Sequence, residues 1–165
     1  MHNTERAMIH LVDDNSMIRE LMTRIIESSG YSVKTFADAN SYIDYTHSAA
    51  FTQPLATFVD VVMPGMSGYT MINHIHAEQP DMKFIVMSGQ LDIPSDYKKL
   101  VCMFLKKPFE LSRVKEILQK LSQCHACGAS SMIGCATIDQ RDHFNLTEWH
   151  CPKSAELQST TPGAV

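Results

Sequence analysis

The chain has 165 residues, enough for one ordinary domain with a core and an extension and too few for two full-sized domains. Apolar residues make up 44% and charged residues 19%, close to average usage, which argues against a disordered, fibrous or membrane-embedded chain. The net charge of −4 divides into 12 basic and 14 acidic side chains in residues 1–121 and 2 and 4 in residues 122–165, so neither part has the cationic excess that direct nucleic-acid binding requires.

From the start, Met1-His2-Asn3-Thr4-Glu5-Arg6 lacks the basic and then apolar profile of a signal peptide. No apolar run approaches the roughly 18 to 20 residues that span a bilayer, and the expected compartment is the cytoplasm. Ala7 to Val12 is a short apolar run that predicts a strand. Ser16 to Ser29 follows with helical period, Met17, Ile18, Leu21, Met22, Ile25 and Ile26 marking one face for burial. Gly30 supplies a helix stop, Ser32 to Ala37 reads as a second strand and Asn40 to Thr46 as a short helix. The pattern repeats with strand Leu55 to Val61, helix Tyr69 to Glu78 and strand Met82 to Met87, punctuated by Pro80-Asp81. A weak helix at Ser95 to Leu100, a strand from Val101 to Leu105 and a helix from Leu111 to Leu121 complete it, the last burying Leu111, Val114, Ile117, Leu118 and Leu121.

Five strand and helix pairs predict an α/β fold. Parallel strands need crossover connections, and right-handed crossovers cover both faces of the sheet. The flavodoxin-like, doubly wound five-stranded order 2-1-3-4-5 is the natural solution, and its functional cleft lies beyond the C-terminal ends of the strands. There strand one ends in Asp13-Asp14, strand three in Asp60, strand four in Ser88-Gly89 and strand five in Lys106-Lys107-Pro108. Singly, each has a plain structural reading as a cap, a turn or a helix start. Together, clustered carboxylates repel one another unless a hard cation is shared among them, which implies Mg²⁺. Magnesium keeps several waters and so can also take a phosphate oxygen, a lysine can hold another, and an aspartate carboxylate can act as nucleophile.

Val12-Asp13-Asp14, the run from Phe58 through Asp60 to Gly68, Val86-Met87-Ser88-Gly89 and Phe104-Leu105-Lys106-Lys107-Pro108-Phe109 resemble the motifs of response-regulator receiver domains, in order and at strand ends. The resemblance covers residues 7 to about 121, making 1–121 a receiver domain and 122–165 a Cys/His-containing C-terminal extension. It implies that Asp60 is the phosphoacceptor and that Asp13, Asp14 and Asp60, with the Val62 backbone carbonyl, hold Mg²⁺. It further implies that Lys107, directly before Pro108, contacts the phosphate, and that Ser88 and Phe104 are the hydroxyl and aromatic of a conformational switch, Phe104 turning inward as Ser88 moves to the phosphoryl group. The donor would be a histidine kinase or a histidine phosphotransfer protein. Helix one would dock it, with Ser16, Arg19 and Glu20 as candidate contacts. The output would pass to a protein partner, a homodimer formed on phosphorylation being one form of it.

Ser88 and Lys107 lie 19 positions apart, fewer than the family usually shows, so helix four must be short or irregular and the usual output geometry is in question. Val62, two residues past Asp60, is apolar and cannot orient a hydrolytic water, which implies a long-lived phosphoryl state. The same substitution argues against a phosphatase, since aspartate-nucleophile phosphatases normally carry a general-acid Asp there; an interaction module without chemistry would have lost site residues, and none is missing. The extension shows no helix-turn-helix pattern, so no DNA-binding output domain is expected. Its Cys124, Cys127, Cys135, His143, His150 and Cys151 offer thiolate and imidazole ligands for Zn²⁺, with a redox pair of Cys124 and Cys127 or an irregular tail as alternatives.

Overall fold

A computed structural model describes residues 6–90, 94–98 and 100–126. The elements run β1 (Met8–Val12), α1 (Ser16–Ser28), β2 (Ser32–Phe36), α2 (Ala39–Thr46), β3 (Ala56–Asp60), α3 (Gly68–Glu78), β4 (Phe84–Ser88), α4 (Ser95–Lys98), β5 (Met103–Lys106) and α5 (Leu111–Ala126). All strand pairs are parallel, in the order β2-β1-β3-β4-β5, as the alternation of short apolar runs and helices predicts. Because the strands point the same way, Val12, Asp60, Ser88 and Lys106 finish at one rim, and the helices return with their N-termini toward it.

The sheet separates two apolar cores because successive side chains on a strand face opposite ways. Ile9, Leu11, Phe58, Ile85 and Met87 face α1 and α5, meeting Met22, Ile25, Ile26, Val114, Ile117 and Leu118. Val12, Val59, Phe84 and Val86 face the α2 and α3 side, meeting Tyr42, Ile43, Met71, Ile72 and Ile75. The central strands β3 and β4 are buried throughout, whereas β2, at one edge, is only partly covered and presents Lys34 to solvent with its ammonium 4.1 Å above the Tyr45 ring. Helix starts follow local chemistry: the Asn15, Asp38 and Ser67 side chains accept from the first-turn N–H groups of α1, α2 and α3. Tyr31 donates its hydroxyl to the Leu118 carbonyl at 3.0 Å, fixing α5 against the start of β2.

Three expected core residues lie outside the cores. Met17 is 78% exposed, Leu21 40% and Leu111 49%. In α1 the stripe that meets the sheet is Ile18, Met22, Ile25 and Ile26, and six apolar residues over thirteen positions are more than one buried stripe can take. Leu111 is the first residue of α5, where the helix begins beyond the sheet. The short α4 agrees with the shortened interval before Lys107. Helix α5 continues past Leu121 to Ala126, so Cys124 falls on its last turn; Cys127, Cys135, His143, His150 and Cys151, and with them the expected tail zinc site, lie outside the described residues.

Candidate functional site

The rim brings together Asp13, Asp14, Asp60, Ser88 and Lys107. Asp13 directly follows β1 and is fully buried, Asp60 closes β3 at 6% exposure, and Asp14 is open to solvent. One carboxylate oxygen from each of the three lies within 4.8 Å of the others. Lys107 reaches over them, with Nζ 2.9 Å from Asp13 Oδ2 and 3.2 Å from Asp60 Oδ1. Its backbone is fixed by the Lys107 N–H, which donates to the Ser88 carbonyl at 2.7 Å. Lys106, the neighbouring lysine, belongs to β5 itself, paired in register with Ser88.

Burial pushes the Asp60 carboxyl above its ordinary range, Lys107 pulls it back and Asp13 pushes it up again, with a net rise. For Lys107 burial opposes the charged form, but the hydrogen bond and charge of Asp13, with help from Asp60, outweigh it and hold the ammonium above its ordinary value. Three carboxylates against one ammonium leave an excess of negative charge on hard oxygen donors, at a rim where two of the acids have been removed from water. That donor set fits Mg²⁺, which takes oxygen ligands, and suits soft or borderline metals poorly.

Several supports were not legible as site residues. The Asn15 N–H donates to Asp13 Oδ1 at 2.8 Å, while the Arg19 guanidinium donates to the Asp13 backbone carbonyl at 2.7 Å. Arg19 therefore braces the β1–α1 loop, and Glu20 pairs with Arg24 at 2.6 Å on the exposed face of α1. The Val62 N–H points at Asp60 Oδ1 from 3.4 Å, and the Val62 side chain is 66% exposed. Ser88 is 1% exposed, with its hydroxyl accepting from the Gln90 N–H at 3.0 Å. Phe104 already occupies an inward position at 8% exposure, in the core shared with Val86 and Tyr69.

Gly68 is the least visible requirement. A Cβ there would stand 2.2 Å from the Asp60 carbonyl oxygen and 2.8 Å from Val59 Cγ1, so only glycine lets α3 start against the end of β3. Gly68→Ala is expected to cost about 2 kcal/mol through overpacking. Urea unfolding would check it, and a wild-type value would refute the packing argument.

Residues 9–119 match the family described as the response regulator receiver domain. Among curated relatives, the transcriptional regulatory protein FixJ of Bradyrhizobium diazoefficiens is 29% identical over 119 residues, 70% of this chain and 57% of the relative. The sensor kinase CckA of Brucella abortus is 32% identical over 124 residues, 69% of this chain and 13% of the relative. The chain thus spans little more than half of the one and a small part of the other. Among solved structures, the response regulator StyR shares 26% identity with a TM-score of 0.64, covering 73% of this chain and 61% of that one. The chemotaxis protein CheY4 of Vibrio cholerae, at 22% identity, TM-score 0.59 and coverage of 70% and 98%, shares the fold.

Proposed function

Since the chain belongs to the response regulator receiver domain family, we propose that it is a phosphorylation switch in which Asp60 accepts a phosphoryl group from a phosphohistidine on a histidine kinase or phosphotransfer protein. The carrying observation is the placement of the Asp60 carboxylate, nearly buried, within 3.2 Å of an ammonium that also holds Asp13. An Asp60 oxygen attacks phosphorus, the bond from phosphorus to the histidine nitrogen breaks, and the electron pair leaves with the imidazole. Lys107 stands where it stabilises charge on the oxygens of the moving group. Asp13, Asp14 and Asp60, with the Val62 carbonyl, would hold Mg²⁺, which when bound supplies further charge stabilisation to phosphoryl oxygens. Val62 is apolar and projects outward, so no side chain at that position offers a proton or orients water for release of the phosphate, which supports a switch without independent turnover.

Incubating the protein with acetyl phosphate and Mg²⁺ and measuring intact mass tests this. Wild type is expected to gain one phosphoryl group, and Asp60→Asn or chelation of the metal to prevent it. No gain with acetyl phosphate or with a phosphohistidine-bearing donor would overturn the proposal.

Met17 and Leu21, one helical turn apart on α1 and both outward, form an apolar contact beside the rim on which a donor helix can rest. For the output, Phe104 joins the core to a groove of about 420 Å³ between β5 and the start of α5, also lined by Lys106, Phe109, Arg113 and Glu116. A Phe104 that shifts when Ser88 turns toward a phosphoryl oxygen would reshape that groove for a protein partner. Ser88→Ala is expected to leave labelling of Asp60 largely intact while abolishing the change in Phe104 ring NMR signals on phosphorylation. Loss of labelling itself would count against a switch role for Ser88.

A further inference from the structure

At the opposite end of the molecule, we propose, His47, His74 and Glu78 form a binding site for a divalent transition-metal ion of the zinc class. The helices run antiparallel to the strands, so the C-terminal ends of α2 and α3 lie at the far end of the sheet from the acidic rim. His47 is the C-cap of α2, and His74 and Glu78 stand four residues apart near the end of α3, a spacing that puts both on one helix face.

The three donors are already gathered. His47 Nε2 lies 2.5 Å from Glu78 Oε2, His74 Nε2 lies 3.9 Å from Glu78 Oε1, and the two imidazole rings meet edge to face with centroids 6.2 Å apart. All three donor atoms fall within 4.8 Å of one another. Bonds of roughly 2.0 to 2.2 Å in a tetrahedral shell require donor separations of about 3.3 Å, so the adjustment is a rotation of side chains, not a movement of helices. Those side chains are about half exposed, at 48%, 49% and 48%, which leaves them free to turn and leaves a fourth position open to water.

The donor chemistry selects the metal. Two imidazoles with one carboxylate suit Zn²⁺ and its neighbours, whereas Mg²⁺ prefers an all-oxygen shell. An exposed ion pair contributes little by itself, whereas three ligating side chains from two helices converge here on one point. Bound metal would staple the end of α2 to the end of α3, leaving the phosphoryl site untouched.

The test uses the full reduced chain in excess Mg²⁺, which occupies the acidic rim, with zinc added in steps. The His47 and His74 ring NMR signals are expected to shift together and saturate. Equilibrium dialysis is expected to show that His47→Ala/His74→Ala binds one equivalent of zinc less than wild type, whatever the extension's cysteines bind, while acetyl phosphate still labels Asp60 in the variant. Glu78→Gln, which keeps both imidazoles, is expected to weaken binding without removing the ring shifts. Unmoved ring signals, or equal stoichiometry in wild type and double variant, would overturn the proposal.

Discussion

Replacing Lys107 by alanine is expected to slow phosphorylation of Asp60 by about 100- to 1,000-fold, the usual cost of losing one preorganised charge aimed at a transition state. The size follows from the geometry: Lys107 Nζ is shared between Asp13 and Asp60, at 2.9 and 3.2 Å, and both acids are nearly or fully buried. Without it Asp60 faces burial and the Asp13 charge unopposed, so its acid form, which is not nucleophilic, becomes more populated. Mg²⁺ at saturating concentration would neutralise part of that charge but would not replace a donor on the phosphoryl oxygens. Initial labelling rates with acetyl phosphate, followed by intact mass, measure the effect, and Lys106→Ala is the control, expected to label within a few fold of wild type. If the two alanine variants are equally impaired, the assignment of Lys107 as the phosphate-contacting lysine fails.

A second large effect concerns acid. His10 sits on β1, fully buried, in register with Lys34 on one side and Thr57 on the other. The rings of Phe36, Tyr42, Tyr45 and Phe51 surround it at centroid distances of 6.0, 5.6, 5.5 and 6.2 Å. Its Nδ1 shares a hydrogen bond with the Tyr42 hydroxyl at 2.9 Å, and that hydroxyl reaches Thr57 Oγ1 at 2.8 Å, while Nε2 has no partner. Burial, and then the charge of Lys34, push its pKa down from 6.5 to about 4. A depressed histidine makes the neutral form the stable one in the fold. Between pH 6.5 and 4 the unfolded chain takes up a proton that the folded chain refuses. Stability is therefore full above pH 6.5 and falls with pH, by about 3 kcal/mol at the lower end of that window. His10→Leu, similar in size and leaving Tyr42 bonded to Thr57, is expected to lose that dependence. Urea unfolding of both proteins at pH 7.5 and 4.5 decides it, since parallel behaviour of the two would show that His10 does not carry the effect.

The fold was legible because a parallel sheet covered on both sides writes itself as short apolar runs, each followed by a helical period. The acids were legible because a strand end followed by a carboxylate is a local pattern repeated at one rim. Contacts set by packing left no such pattern. Nothing local distinguishes Gly68 as the residue that must pass Asp60 closely, and nothing marks Arg19 as a brace for the Asp13 carbonyl instead of a solvent-facing charge. Periodicity overshot in α1, where Met17 and Leu21 are as apolar as Met22 and Ile25 but face outward, because it registers apolarity and not which stripe meets the sheet. His10 lay inside an apolar run, and its cage is assembled from β2, α2 and the segment after α2, which meet only in the folded chain.

Lys34 has a consequence beyond its pull on His10. It lies midway along β2, a strand with one hydrogen-bonding edge unmatched among the described residues, and its ammonium rests over Tyr45 on the surface. A foreign strand adding itself there would enclose that charge, a penalty that guards an open sheet margin against aggregation. Continuing the sheet outward from β2 is thereby disfavoured.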